Sequence, residues 1–205
     1  ASSGRASPRA LVTGAGARLG RALALKLAER GHDVAVHYAA SAGGAEETAE
    51  AIRGMGRRAV TLRADLLDAG ETGTLVPAAV AGLGGPLTCL VNNASIFEWD
   101  TLESATAESW HRHMRSNLQG PFELLQAFAA QAPDPLTDEN GEPVAQALCV
   151  NMLDQRIHKL TPAFMTYTLA KMGLWTLTRT AAQALAPGAP ITLGVAPVSV
   201  PLIHS

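Results

Sequence analysis

Tyr167 and Lys171 stand four residues apart, with Asp154 thirteen residues ahead of the tyrosine. On a helix that spacing places the phenol and the ammonium one turn above each other on the same face. A phenol titrates at about pH 10 in water, and a nearby positive charge favours its ionised form, so the pair predicts a hydroxyl able to give or take a proton closer to neutrality. Asp154 adds an acid able to supply or relay a proton. Tyr-x-x-x-Lys also arises by chance on exposed helix faces, so the surrounding sequence has to separate the two readings.

The surroundings are those of an alternating chain. Short apolar runs at residues 10–13, 33–37, 58–63, 87–92, 144–152 and 191–196 read as strands. Between them, residues 19–30, 45–54, 72–83, 107–131 and 162–185 read as helices. Repeated βα units with right-handed crossovers predict an α/β fold: a doubly wound parallel sheet of six or seven strands in a three-layer αβα sandwich. Residues 134–143, dense in Pro, Asp, Asn and Gly, read as a surface loop. At 205 residues, with 47% apolar and 17% charged side chains, residues 1–205 read as a single domain large enough to bury a full core.

Several classes of partner are disfavoured. A net charge of −2 without a Lys/Arg cluster gives no footprint for nucleic acid. Residues 1–9 lack the apolar centre of a signal peptide, and no run of apolar residues is long enough for a membrane span. Cys89 and Cys149 lie inside apolar runs and read as small core residues in a reducing cytoplasm. No metal site is expected.

Thr-Gly-Ala-Gly-Ala-Arg-Leu-Gly at residues 13–20 falls directly after the first strand and opens the first helix. Gly14 permits the tight turn, Gly16 removes a side chain where a phosphate approaches, and Gly20 lets helix and strand pack closely, while the helix start offers N–H groups to an anion. A merely structural glycine turn is the alternative.

These motifs together resemble the short-chain dehydrogenase/reductases over nearly the whole chain: the glycine turn, Asn92-Asn93-Ala94 after the fourth strand, Asn117 in the long helix, and Tyr167 with Lys171. The resemblance implies a Rossmann fold, catalysis by Asn117, Tyr167 and Lys171, and a homodimer or homotetramer. It further implies cofactor contacts from Gly14, Gly16, Arg18, Leu19, Asp65, Leu66, Asn93, Ala94, Ser95, Tyr167, Lys171 and Pro197. A helix-capping role is the alternative for Asp65. For Asn117, which the family uses to hold a water, the alternative is an asparagine satisfying backbone groups in a kinked helix.

Departures from the family pattern narrow the resemblance. Arg18 replaces the middle glycine of the turn, Ser95 follows Asn-Asn-Ala in place of glycine, Phe97 comes soon after, and Asp154 stands where most members carry serine. With His37-Tyr38 after the second strand, the combination is similar to pteridine reductases and dihydromonapterin reductases. It implies a substrate held by Arg18, Ser95, Phe97, Asp154 and Tyr167, with Phe97 supplying an aromatic face or serving as a plain core residue. No carboxylate follows the second strand to repel a 2′-phosphate, and Arg18, His37 and Ser41 are available to bind one, so NADPH/NADP is the expected cofactor. Family members continue past the sixth strand, so the chain is expected to lack the C-terminal substrate loop and last strand, with Pro197-Val198 in place of Pro-Gly. Three functions follow: an NADPH-dependent pterin reductase, a carbonyl or 3-oxoacyl-thioester reductase, or a non-catalytic nucleotide-binding protein.

Overall fold

The computed structural model describes residues 7–185 and 191–198. Strands β1 (Arg9–Val12), β2 (Asp33–Tyr38), β3 (Ala59–Arg63), β4 (Cys89–Asn92), β7 (Ala147–Asp154) and β8 (Ile191–Val198) form one sheet in the order β3-β2-β1-β4-β7-β8. Every pairing in it is parallel. The expected doubly wound fold is therefore present, and its direction of winding reverses between β1 and β4. A crevice opens at that reversal, beyond the carboxyl ends of the strands.

Helices α1 (Arg18–Glu29), α2 (Ala42–Gly54), α3 (Ala69–Leu83), α4 (Ala107–Met114), α5 (Gly120–Gln131) and α6 (Met165–Leu185) complete the fold. Successive strand residues serve opposite faces of the sheet. Leu11, Ala35 and Leu90 pack with Leu75, Leu83 and Phe128. Val12, Val34 and Val91 pack with Ala24, Ala49 and Ile52. Covered on both sides, the central strands read as continuous apolar runs rather than alternating ones.

Three expectations need correction. The long helix over residues 107–131 is interrupted by a π-helical turn, Arg115–Gln119, between α4 and α5. The loop over 134–143 carries an antiparallel hairpin of β5 (Leu136–Thr137) and β6 (Pro143–Val144), and taking Val144 into that hairpin delays the start of β7 to Ala147. Helix α6 begins at Met165, not at residue 162. At the far edge, β8 pairs with β7 in register, setting Pro197 opposite Leu153 and Val198 opposite Asp154. Among the described residues, no helix is long and apolar enough to cross a membrane and no cluster of metal-ligating side chains occurs.

Candidate active site

The glycine turn is held by its neighbours before any ligand arrives. The Thr13 hydroxyl oxygen accepts the backbone N–H groups of Asn93 and Ala94, each at 2.9 Å. The Asn93 amide donates to the Thr13 carbonyl at 2.9 Å. Gly14 has φ +64°, and a Cβ on Gly20 would meet Asn93 Nδ2 at 2.6 Å and the Gly14 carbonyl carbon at 2.8 Å. At Gly16, which also lines a cavity, a Cβ would face Ser41 O and Ala45 N at 3.1 Å, so the start of α2 crowds this position.

His37 also differs. It is only 1% exposed, its Nδ1 accepts the Gly14 N–H at 3.0 Å, and its Nε2 donates to the Ala64 carbonyl at 3.0 Å. With both nitrogens engaged, the imidazole braces the turn and is not free to bind a 2′-phosphate.

Helix α1 starts at this turn without a side-chain cap or an acidic residue in its first turn, which leaves its N–H groups suited to a phosphate. Arg18 opens the helix, exposed and at φ +44°, where the family's glycine would sit without strain. Leu19 beside it is partly exposed. A cavity of about 170 Å³ is lined by Gly14, Gly16, Ala17, Tyr38 and Ser41. A second, of about 330 Å³, is lined by Gly14, Asp65, Leu66, Ala94, Ser95 and Arg112 among others. The capping role considered for Asp65 belongs to Asp68, whose carboxylate accepts the Glu71 N–H at the head of α3. Asp65 accepts the Leu67 N–H at 2.9 Å and borders the larger cavity.

Asp154, Tyr167 and Lys171 meet beyond the sheet. Tyr167 donates its hydroxyl to Asp154 Oδ2 at 3.1 Å, and Lys171 Nζ donates to the Met152 carbonyl at 2.8 Å. Only 3% exposed, Lys171 has further N–H donors for a ligand's hydroxyl groups. Its ammonium lies 5.7 Å from the Tyr167 ring centre. The expected depression of the phenol is reversed: burial, then the adjacent Asp154 carboxylate, pushes Tyr167 above its ordinary value, while the Ser95 hydroxyl pulls the other way. Desolvation and the anion outweigh the Ser95 hydroxyl and the Arg156 guanidinium, which act in the opposite direction.

Burial lowers Lys171 to about 8, and Asp154 opposes that shift. An unfolded lysine titrates at about 10.4, so over the interval between, the unfolded chain holds the extra proton and stability rises with pH. Tyr167 opposes this only above about pH 10, where an unfolded tyrosine ionises, and the buried thiols of Cys89 and Cys149, pushed up by desolvation, oppose it from about pH 8.5. The lysine's share is read as a difference from a variant that lacks it. Urea midpoints measured from about pH 8 to about pH 10 should therefore rise for the wild type relative to Lys171→Met; a difference independent of pH would contradict the buried lysine.

Phe97, 52% exposed, stacks on Phe164 with ring centres 4.3 Å apart and planes 5° from parallel. It also meets Tyr167 edge-on at 4.8 Å. The Arg156 guanidinium lies 4.7 Å from the Phe164 ring centre and pairs with Asp154 at 3.3 Å.

Two groups hold this cluster from behind. Asn117, in the π-helical turn, accepts the Ile96 N–H and donates to the Ile96 carbonyl, both at 2.8 Å. Its side chain thus fixes the segment between Ala94 and Phe97. Asp100, buried, receives the Thr166 N–H at 3.1 Å, the Thr166 hydroxyl, and the Ser109 hydroxyl at 3.1 Å. His113 joins through a 2.7 Å hydrogen bond to Thr166 and accepts the Glu98 N–H at 3.1 Å. Asp100→Ala would strand several buried donors at the head of α6 and should cost about 2–4 kcal/mol in urea unfolding; a loss below about 0.5 kcal/mol would show that the network adds nothing.

The fold brings Ser95, Phe97, Asp154, Tyr167 and Lys171 to one place, with Asn117 behind Ile96. Among the described residues, no hydrogen bond or ion pair joins Arg18 to them. Arg156, Phe164, Asp100 and His113 were missed by the sequence reading. Arg156 has a local signal, two residues after Asp154; Asp100 has none, since it acts across 66 residues.

The short chain dehydrogenase family profile matches residues 8–200. The chain belongs to the short-chain dehydrogenases. Among curated members, the 3-oxoacyl-[acyl-carrier-protein] reductase FabG of Staphylococcus aureus (strain Mu50) is 33% identical over 188 residues, covering 92% of this chain and 72% of that protein. Among solved members, FolM alternative dihydrofolate reductase 1 from Brucella suis, in complex with NADP, is 37% identical with a TM-score of 0.81, over 92% of this chain and 70% of that one. The landomycin C-6 ketoreductase LanV, with bound NADP and rabelomycin, is 31% identical with a TM-score of 0.81, over 92% of this chain and 74% of that one. As a member of this family, the chain is an oxidoreductase.

Proposed function

We propose that this short-chain dehydrogenase is an NADPH-dependent reductase of a pterin C=N bond. The observation that carries the reading is the hydrogen bond from Tyr167 to Asp154 beside the exposed ring of Phe97. A serine in the place of Asp154 mainly hydrogen-bonds a carbonyl oxygen, whereas an acid can serve a ring nitrogen. The similarity to FolM, which was crystallised with NADP, supports both substrate class and cofactor.

The uncapped start of α1 suits the pyrophosphate, the larger cavity beside Asp65 and Leu66 suits the adenine, and Tyr38 and Ser41 border the smaller one, where a 2′-phosphate meets no carboxylate. The free donors of Lys171 suit the nicotinamide ribose. Asn93, Ala94, Ser95 and Pro197 would serve the nicotinamide end, and Arg18 the phosphates. When bound, the cofactor supplies the hydride. Tyr167 meets the substrate as a phenol, because burial and Asp154 keep its proton on, and its O–H turns from Asp154 to the ring nitrogen. Asp154 orients that hydroxyl and relays the replacement proton.

The similarity to FabG and LanV favours a second reading, carbonyl reduction. NADPH absorbance followed with dihydrobiopterin, dihydrofolate or an acetoacetyl thioester separates the two. The wild type should oxidise NADPH with a pterin, and Asp154→Ser should lose about 100-fold of that rate while gaining thioester activity. Oxidation by the wild type with the thioester alone would reverse the assignment; NADPH binding without oxidation by any of the three would make the protein a non-catalytic nucleotide binder.

A further inference from the structure

The aromatic pair at the mouth of the site carries more than a wall. Phe97 and Phe164 lie face to face at 4.3 Å, so no third ring fits between them: an inserted ring needs a stacking distance on each of its faces, about twice the present separation. Phe164 holds this position at φ +58°, a backbone conformation that L-residues rarely adopt outside Gly, Asn and Asp. Next to the pair, Arg156 uses Nη1 on Asp154, but its Nε–H is buried without an acceptor. A buried guanidinium donor without a partner is costly, and such groups are rare unless something else completes them.

We propose that Phe164 is an internal plug standing where a flat substrate ring stacks, and that Arg156 is a specificity-determining residue for that ring. Resting on the pterin reading, this assigns the recognised class as planar, fused heteroaromatic lactams. The ring displaces Phe164 from the Phe97 face, and a carbonyl oxygen or ring nitrogen at its edge accepts the Arg156 Nε–H. Displacement exposes that donor, since the same aromatic rings lie against the guanidinium. The pairing of Nη1 with Asp154 anchors one arm of the guanidinium and leaves the Nε–H without a partner, so the arginine selects for an acceptor at the ring edge and not for charge alone.

The test is titration of the NADP⁺-loaded protein with biopterin, which the oxidised cofactor cannot reduce, together with NADPH turnover of the acetoacetyl thioester. Phe164→Leu should tighten biopterin about threefold or more by removing the competitor, whereas Phe97→Leu should weaken it about tenfold. Arg156→Gln should weaken it about tenfold, and Arg156→Lys should not restore it, because an ammonium lacks the planar fork. None should shift NADP⁺ affinity, which reports an intact fold. Weaker binding in Phe164→Leu would overturn the plug, and unchanged binding in Arg156→Gln would overturn the recognition role, while the pterin reading stands if the wild type binds. Failure of the wild type to bind biopterin, with thioester turnover intact, would overturn the pterin reading and this inference with it.

Discussion

Tyr167→Phe should lower turnover by about 10²- to 10⁴-fold, the range for removing a positioned proton donor, with NADPH affinity unchanged. The variant keeps the ring and so keeps the edge contact with Phe97 at 4.8 Å. It loses only the hydroxyl shared with Asp154, which retains Arg156. Steady-state rates set beside an NADPH fluorescence titration check this. Full turnover in the variant would remove Tyr167 from the proton path and leave Asp154 as the donor.

Gly20→Ala should have the largest effect on the fold. Its Cβ would drive into the Gly14 carbonyl and the Asn93 amide, and the obstructing carbonyl is main chain that cannot swing aside. Overpacking costs about 1–3 kcal/mol where side chains can yield, and a backbone clash belongs at or above the upper end. Thermal unfolding should show the loss, and NADPH affinity should fall with it because the displaced carbonyl belongs to the phosphate turn. Gly73→Ala is the control: its Cβ meets nothing within 4 Å on α3. There, removing a helix glycine should raise stability by about 0.5–1 kcal/mol. Equal losses at both positions would mean that helix propensity, not close approach, governs Gly20.

The fold was legible because its signals are local. Alternating apolar runs and helical stretches, and a glycine turn between β1 and α1, specify a doubly wound sheet whatever the loops do. Tyr167 and Lys171 were legible for the same reason, since four residues on one helix fix their relative position. What the sequence misjudged was electrostatic and long-range. The phenol's environment depends on burial and on Asp154 from another element, so a Lys at helical spacing did not predict the direction of its shift. His37 looked like a phosphate ligand by position along the chain, but the last part of β2 runs beneath the glycine turn and buries it. The π-helical turn around Asn117 has no spacing signature apart from that of an ordinary helix. Asp100 and Phe164 act through contacts that only the folded chain creates.

The brace formed by His37 works only with a neutral imidazole, because Nδ1 must offer a lone pair to the Gly14 N–H. A second ring proton would set donor against donor at the point where the phosphate turn is held. Desolvation pushes this histidine below its ordinary value of about 6.5, so the folded turn resists the proton that the unfolded chain accepts, and acid favours unfolding as the pH falls past that value. The tolerance of this fold toward acid is thus written into the glycine turn, and acidification should loosen that turn through a residue buried beneath it.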